Sequence, residues 1–428
     1  MIRLQKGVSY KGEFLDKPGP RLLGLGTVIP SGGLKLDEAR TYSGPVREDQ
    51  RIKPGELLVA LTDITQEGSV LGSPALVPNI VDGGFVVTHH VARVQITATR
   101  ALDTRFLYYL LRGQEFRDYV RGVSTGTTVR AVSTADVLSF EASLPPLAEQ
   151  RAIVRILGSL DDRIELNRRM NKTLEEICRA LFKFWFVDFG PVRAKAEGRW
   201  KKGESLPGMP TDMWDLWPSE FEESEIGEIP KGWEVRGLLE IAALHSGGTP
   251  ATSEPSYWGG GIPWVSGKDV SSAKGSFLLR TERTVSEDGI AHSHTSPLPA
   301  RTVVITARGT VGALAILAEP MCISQTNYGL KAANGVPDNF LRFAVEGAVE
   351  GLQQESYGTI FDTITTKNLS ATQVVSPATP LLTAFSDRTD PLTNGVLMNL
   401  RAAETLAEAR NALLPKLLSG EIRLKVDA

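Results

Sequence analysis

Side chains that could do covalent chemistry come first, and in this chain they are near misses. Gly267-Lys268 looks like the end of a phosphate-binding loop, but Asp269 follows where Ser or Thr is needed and residue 262 is Ile. No Gly-x-Gly-x-x-Gly occurs, and Gly24-Leu-Gly26 and Gly259-Gly-Gly261 read as turns. The Asn-Pro-Pro-Tyr or Asp-Pro-Pro-Tyr of an amino-methyltransferase is absent. No Glu is followed two residues later by Lys, which removes half of a common metal-dependent nuclease site. The histidines His89, His90, His245, His292 and His294 have no Cys or acidic partners at ligand spacing. The expectation is a non-catalytic chain with no metal site.

Polar loops remain as candidate functional groups. In the first part of the chain these are Lys35, Thr62-Asp63, Thr88-His89-His90 and Thr127-Thr128-Val129-Arg130. In the second they are Lys268-Asp269, Arg308-Gly-Thr310, Ser324-Gln325-Thr326-Asn327-Tyr328 and, further on, Lys367. Gln and Asn suit adenine edges, Arg and Lys suit guanine or phosphate, and Thr and His can serve either. An ordinary surface loop has the same composition, so these residues carry meaning only if the architecture brings them together.

The architecture is legible because the chain is written twice. Ser124-Thr-Gly-Thr-Thr-Val-Arg-Ala-Val-Ser-Thr recurs as Ser356-Tyr-Gly-Thr-Ile-Phe-Asp-Thr-Ile-Thr-Thr, an offset of 232 that places Gly126 on Gly358, Thr127 on Thr359, Val132 on Ile364, Thr134 on Thr366 and Pro145 on Pro377. Upstream the echo drifts: Thr41-Tyr-Ser43 resembles Thr284-Val-Ser286, and Pro54-Gly-Glu-Leu-Leu-Val-Ala resembles Pro299-Ala-Arg-Thr-Val-Val-Ile. Each repeat begins with short β-type runs broken by Gly and Pro, continues with a helix near 104–121 or 338–350, and ends in a long helix. The fold class is therefore α+β: two similar α/β globules and two long antiparallel helices forming a coiled coil, in an internal pseudo-two-fold repeat.

The helix after Pro145-Pro146 carries an unbroken a/d seam of Ile153, Leu157, Leu160, Ile164, Asn167, Asn171, Leu174, Cys178, Leu181 and Trp185. It should run from about 147 to 188, roughly 60 Å at 1.5 Å per residue, and stop at Gly190-Pro191. Shifted by 232, the seam becomes Leu392, Val396, Asn399, Ala403, Leu406, Arg410, Leu413 and Leu417. Pro391 should break this second helix, with Asp390 capping a fresh start, and Ser419-Gly420 should end it. Such a long narrow stripe favours pairing of the two helices over packing on separate globules, and a polar Asn in the seam can fix register. The expected segments are a first globule 1–145, a spacer helix 146–189, a connector 190–232, a second globule 233–378 and a C-terminal spacer helix 379–424. The Pro-, Gly-, Glu- and Trp-rich connector reads as a linker whose tryptophans dock within the chain. Two globules on a rod of that length could address half-sites on one face of a DNA duplex, which recur about every 34 to 36 Å.

Bulk properties set the outer limits. The 428 residues suit two or three domains, and 42% hydrophobic with 23% charged residues are ordinary globular values. Net charge is −3, which neither announces a nucleic-acid binder nor rules out a basic face. No apolar run is long enough for a membrane helix. The first residues, Met1-Ile-Arg-Leu-Gln-Lys6, lack an apolar signal core, and Cys178 and Cys322 give no disulfide framework. A reduced, cytoplasmic protein is expected.

Four segments then resemble a known family, the specificity subunits of Type I restriction–modification enzymes. They are Leu144-Pro-Pro-Leu-Ala-Glu-Gln-Arg-Ala-Ile-Val, Phe182-Lys-Phe-Trp-Phe-Val-Asp-Phe-Gly-Pro-Val-Arg-Ala-Lys, Gly227-Glu-Ile-Pro-Lys-Gly-Trp-Glu-Val and Leu413-Leu-Pro-Lys-Leu-Leu-Ser-Gly-Glu-Ile. The resemblance spans nearly the whole chain. It implies two target recognition domains, each reading half of a bipartite sequence in double-stranded DNA, on helices that set the spacer and dock two methyltransferase (modification) subunits, which restriction subunits can join. S-adenosylmethionine, ATP and magnesium are then expected on those partners and no cofactor on this chain. Three departures stand out: Ile2-Arg-Leu lacks the Gly-Trp-Glu-Val lead-in of the second repeat, Pro391 and Gly395 weaken the second helix, and the tail at Pro380 lacks the Ala-Glu-Gln of the first repeat, which implies unequal docking surfaces. The rival reading is a two-headed coiled-coil scaffold for ligands other than DNA. A pair of hydrolase globules ranks third for want of a nucleophile–base pair. A neighbouring gene encoding Asn-Pro-Pro-Tyr would favour the first.

Overall fold

The computed structural model describes residues 1–424 except 31, 66, 80–82, 207–208, 210, 274–275 and 356–362; Gly358 and Thr359 lie outside the described residues. The chain forms two compact units, residues 1–164 with 405–428, and residues 165–404. Each long helix is shared between them, so the expected divisions at 145/146 and 378/379 fall inside units.

In the first unit the apolar run Leu57–Ala60 is fully buried at the centre of an antiparallel sheet, ordered Ile2–Lys6, Val91–Ile96, Leu57–Ala60, Pro74–Leu76. The second unit repeats that order as Ala242–Ser246, Asn327–Ala332, Val303–Thr306, Leu314–Leu317, then adds Phe277–Leu278 at the edge. Pairing fixes the equivalence. Leu57 opposes Val94 and Ala60 opposes Val91, as Val303 opposes Leu330 and Thr306 opposes Asn327. Gly55 and Arg301 occupy the same left-handed turn position before these strands, at φ 80° and 65°. This corrects the alignment of Pro54 with Pro299 by one residue: Lys53 and Pro299 both accept the turn-closing amide bond, from Glu56 and Thr302. The match of Thr41 with Thr284 agrees with strand pairing, since Thr41 opposes Arg21 and Thr284 opposes Pro263 in the smaller sheets. The short helices Thr134–Leu138 and Thr366–Ala371 start with the same capping box, from Ser133 and Thr365.

The helix expected near 104–121 is two helices, Thr104–Arg112 and Gln114–Val123. Asp103 caps the first by accepting from the amides of Arg105 and Phe106. Gly113, in extended conformation, separates them where a Cβ would meet the Leu110 carbonyl and Leu418 at 3.0 Å.

The first long helix runs Leu147–Phe182, about 54 Å, and a π-helical turn, Lys183–Val187, continues it. Gly190-Pro191 does more than stop it: Phe189 turns left-handed at φ 51°, and a new helix, Gly190–Ala196, begins with the proline in its first turn. The second long helix, Thr379–Ser419, is continuous, so Pro391 does not break it. The carbonyl left without a donor belongs to Asp387, an exposed residue that water can reach. Asp390 makes no cap: its carboxylate accepts from Asn339 at 2.6 Å and Ser386 at 2.9 Å. Phe385 and Leu381 bury one half of this helix against Phe182, Trp185 and Phe340, and that packing outweighs the ~3 kcal/mol helix penalty of a proline.

The two helices run antiparallel within each unit. In the first, Arg410 bonds Asp161 at 2.6 Å and Arg423 meets Glu149 at 3.4 Å. Ile153, Leu157 and Leu417 share a core cluster, Leu413 packs against it, Ile164 is buried, and Leu160 and Leu406 are half-buried. In the second, Val396 and Leu174 pack on Phe277 and Ile316, while Leu181 and Leu392 pack on the main core. The helices therefore pack on each other and on their globules at once. Asn399 donates to Asn171 at 2.9 Å, and Asn171 donates to the Val396 carbonyl at 3.2 Å. Asn167 is only half-buried; the seam's polar pair lies one turn further on.

The connector is no free linker. Trp200 and Trp217 are buried with Trp185, Trp233 and Phe385 in the core of the second unit, and Trp185 and Trp217 meet edge to face at 5.1 Å. Truncating Trp217 to Ala is expected to destabilise this unit by about 3–5 kcal/mol, measured by urea unfolding followed by tryptophan fluorescence; a change below about 0.5 kcal/mol would mean the segment is a surface linker after all.

Candidate nucleic-acid interface

The candidate residues are positioned by the last rung of the two central strands. In the first unit the Leu61 amide donates to the His90 carbonyl at 2.8 Å; in the second the Ala307 amide donates to the Thr326 carbonyl at 2.8 Å. The third strand closes the same end, with Val132 donating to Leu61 at 2.9 Å and Ile364 to Ala307 at 3.0 Å. Beside that rung the neighbouring strand begins at a tight turn, closed by Val91 donating to the Thr88 carbonyl at 2.9 Å and by Asn327 donating to the Ser324 carbonyl at 3.0 Å, so His89 and Gln325 hold the same turn position while Thr62 and Arg308 are the next residues of the central strands. Thr62 also pairs with Ala131, and Arg308 with Thr363. The fold thus delivers two candidate sets to one position in each repeat.

Around the first set, Thr62 Oγ1 lies 2.9 Å from His90 Nδ1, and the rings of His89 and His90 pack tilted at 39° with centroids 3.9 Å apart. Burial, reinforced by the neighbouring His89, lowers the His90 pKa below the ordinary histidine value. Thr88 and His90 line a cavity of about 360 Å³ with Thr27, Tyr10 and Ile64. Thr88 Oγ1 is buried there without a hydrogen-bond partner among the described residues. Lys35 is exposed, its amide bonds the Thr27 carbonyl, and its ammonium pairs loosely with Glu38 at 3.4 Å. Thr127 and Thr128 are exposed on the turn leading into Arg130, which donates to the Arg121 carbonyl at 3.2 Å.

In the second unit Arg308, Thr310 and Gln325 are exposed. Lys268 extends from the helix Gly267–Ala273 and pairs with Glu282 at 2.7 Å; both groups are exposed, so the pair is weak and exchangeable for phosphate. Lys367 is exposed on Thr366–Ala371. Two candidates are occupied elsewhere. Asn327 is buried and donates to the Val265 carbonyl at 3.0 Å. Tyr328 is half-buried against the core.

Asp63 and Asp269 likewise hold backbone. Asp269 accepts from the Ser266 and Glu282 amides at 2.8 and 3.1 Å. Asp63, fully buried, accepts from the amides of Thr65, Val70 and Leu71 at 2.7, 2.5 and 3.2 Å. Burial alone would raise its pKa, but these bonds outweigh burial and hold it below the usual carboxylate value. Beneath the same loop the buried Arg117 donates to Ser73 Oγ and the Ser69 carbonyl at 2.8 and 2.5 Å, and burial pulls its pKa down to about 10. This rigid loop presents Ile64, 72% exposed, beside the exposed Val129. Reasoning from polar side chains alone missed both; apolar contact with a thymine methyl is the chemistry they offer. Among the described residues no group of three His, Cys, Asp or Glu side chains could hold a metal ion.

The family model described as "Type I restriction modification DNA specificity domain" matches residues 51–176 and again 230–380. The chain belongs to this family. It is a specificity subunit: the DNA target-recognition component of a Type I restriction–modification system, non-catalytic, which works in complex with other subunits. The specificity subunit of the Type I restriction enzyme HindI of Haemophilus influenzae is 26% identical over 98% of both chains. That of MjaIX, from Methanocaldococcus jannaschii, is 26% identical over 75% of this chain and 70% of its own. The crystal structure of the Type I S subunit from M. genitalium shares the fold with a TM-score of 0.54 at 15% identity, over 97% of this chain and 93% of that one. Among the described residues no helix is long and apolar enough to cross a membrane.

The family's segments acquire physical meaning here. Gln150 of the Ala-Glu-Gln motif is fully buried, donates to the carbonyls of Ala101 and Pro145 at 2.8 and 2.9 Å, and accepts from the Asp103 amide at 2.9 Å. It ties the long helix to its own globule. At the equivalent place the second repeat has Leu382, also buried, so at this position one internal anchor replaces another.

Replacing Asp63 with Asn is expected to loosen residues 63–71 and cost about 1–3 kcal/mol, read as faster amide exchange at Val70 and Leu71. Because the folded pKa is depressed, Asp63 contributes fully above about pH 4 and less as pH falls through the folded value. The gap between wild type and D63N should therefore narrow in acid, and a gap that widens there would contradict the assignment.

Proposed function

We propose that each unit reads one half of a bipartite sequence in double-stranded DNA and that the paired helices set the gap between the halves. The observation that carries this reading is the recurrence of one frame with different side chains at its open end: Thr62 and His89 in one repeat, Arg308 and Gln325 in the other. The same helices dock two methyltransferase subunits, and restriction subunits join that assembly. Supporting this, the exposed faces of the helices carry both charge signs, including Arg155, Arg163, Arg168 and Glu176 on the first and Glu408 on the second. S-adenosylmethionine, ATP and magnesium act on the partners, which is consistent with the missing catalytic motifs. A cytoplasmic location follows from a DNA target inside the cell.

Two experiments test the reading. Exchanging residues 1–140 for the equivalent part of a relative should change one half of the methylated sequence, mapped in cells that carry the methyltransferase partner. Alteration of both halves would refute one unit for one half-site. Deleting four residues near Asn167 removes about 6 Å of helix, and should shift the gap by no more than about two base pairs while leaving both halves intact. An unaltered gap would end the idea that the helices act as a ruler.

A further inference from the structure

We infer that residues 62 and 89 in the first unit and 308 and 325 in the second, which flank the last rung of each central ladder, are equivalent base-reading positions, and that Arg308 and Gln325 make the second half-site one that contains guanine and adenine on adjacent base pairs. The inference rests on the half-site reading above and deepens it.

Three observations converge. Thr62 and Arg308 each follow the shared last rung, and His89 and Gln325 each hold the first corner of the turn beside it, so these positions have the same backbone frame in both repeats. That frame is fixed on the other side by the third strand, which bridges Thr62 to Ala131 and Arg308 to Thr363. Arg308 and Gln325 are both exposed, and neither side chain has a hydrogen-bond or ionic partner among the described residues. Their neighbours are committed inward: Thr306 hydroxyl bonds the Thr310 carbonyl, Asn327 bonds the Val265 carbonyl, and Asp269 holds Ser266 and Glu282. A planar guanidinium and a primary amide left free on a fixed edge can each make two parallel bonds, Arg to guanine O6 and N7 and Gln to adenine N6 and N7. Their backbones flank the same Ala307–Thr326 rung, a single 2.8 Å hydrogen bond. Base pairs stack about 3.4 Å apart, so the two side chains can address two neighbouring pairs, one carrying the guanine and the next the adenine.

The first unit holds different chemistry at the same positions. Thr62 is engaged by His90 at 2.9 Å, and His89 packs tilted against His90, so these positions offer an imidazole and a hydroxyl where the second unit offers two forks. One frame therefore yields two unlike half-sites without any change of fold.

The test uses the assembled specificity–methyltransferase complex and duplexes varied one base pair at a time in either half-site, competing for binding. Arg308→Thr, which installs the residue of the equivalent position, is expected to lower the preference for guanine at one position of one half-site by about tenfold or more and to leave the other half untouched. Gln325→His should lower an adenine preference at the adjacent pair, and His89→Gln should act only on the opposite half. Unchanged base preferences in all three variants would overturn the assignment while leaving one unit per half-site intact. A uniform loss of affinity with preferences kept would also overturn it, because that is the mark of a phosphate contact. Changes from Arg308→Thr and His89→Gln falling in the same half-site would instead defeat the modular reading. Should Arg308→Thr fail to assemble, Arg308→Lys keeps the charge and loses the fork: overall affinity retained with guanine preference lost supports the inference, and preference retained refutes it.

Discussion

One backbone rung, repeated, governs this molecule. Leu61 to His90 and Ala307 to Thr326 close the central ladder of each sheet at the same place. Side chains alternate faces along a strand, so a slip of one residue would bury what is now exposed and expose what is now core. The slip is prevented by burial: Leu57, Leu58, Val59 and Ala60 are all fully covered, as are Val304 and Ile305. Apolar pressure in the middle of the strand thus dictates which polar side chains emerge at its end.

Around that end, charge is used for rigidity as much as for recognition. Asp63, Asp269 and Arg117 hold loop backbone, so the groups left outward are polar or singly cationic. A loop pinned by three amide bonds to one carboxylate loses little entropy when it meets a partner, and preorganisation of this kind favours discrimination over adaptable binding. The long helices are held in a similar spirit. Asp161 accepts from Tyr109, Arg112 and Arg410 at 2.8, 3.1 and 2.6 Å, joining globule and both helices within the first unit. This partly exposed carboxylate accepts from one tyrosine and two arginines, so it ties the register of the two helices to the globule at one point.

The near-neutral net charge is compatible with this design. A subunit that meets DNA through two small faces and proteins through others does not need a basic surface everywhere, and a mixed surface limits non-specific adhesion. The absence of catalytic motifs has the same logic: binding geometry is the product that this chain contributes, and the chemistry is left to other subunits.

The repeat, the two long helices and the absence of a catalytic constellation were legible from residue types and spacing alone, because hydrophobic periodicity and motif recurrence are local properties. The one-residue error in aligning Pro54 with Pro299 was not avoidable in that way, since a turn residue at positive φ, Gly in one repeat and Arg301 in the other, is recognisable only from backbone geometry. Nor could local signals show that Pro391 is carried inside a helix, because long-range packing of Phe385 and Leu381 overrides a local penalty. The Trp-rich connector read as a linker with its tryptophans docked within the chain; Trp200 and Trp217 are so docked, and tertiary contacts show that they belong to the core of the second unit. Among the candidate residues, sequence supplied the polar inventory, and the fold sorted it: Asp63, Asn327 and Tyr328 serve the interior, Arg308 and Gln325 face outward, and Ile64 and Val129 join them. Sequence by itself determined what kinds of side chain are available and that they come in two sets. Tertiary structure alone decided which of them flank the same rung, because that depends on strand register, and register is fixed by burial across residues far apart in the chain.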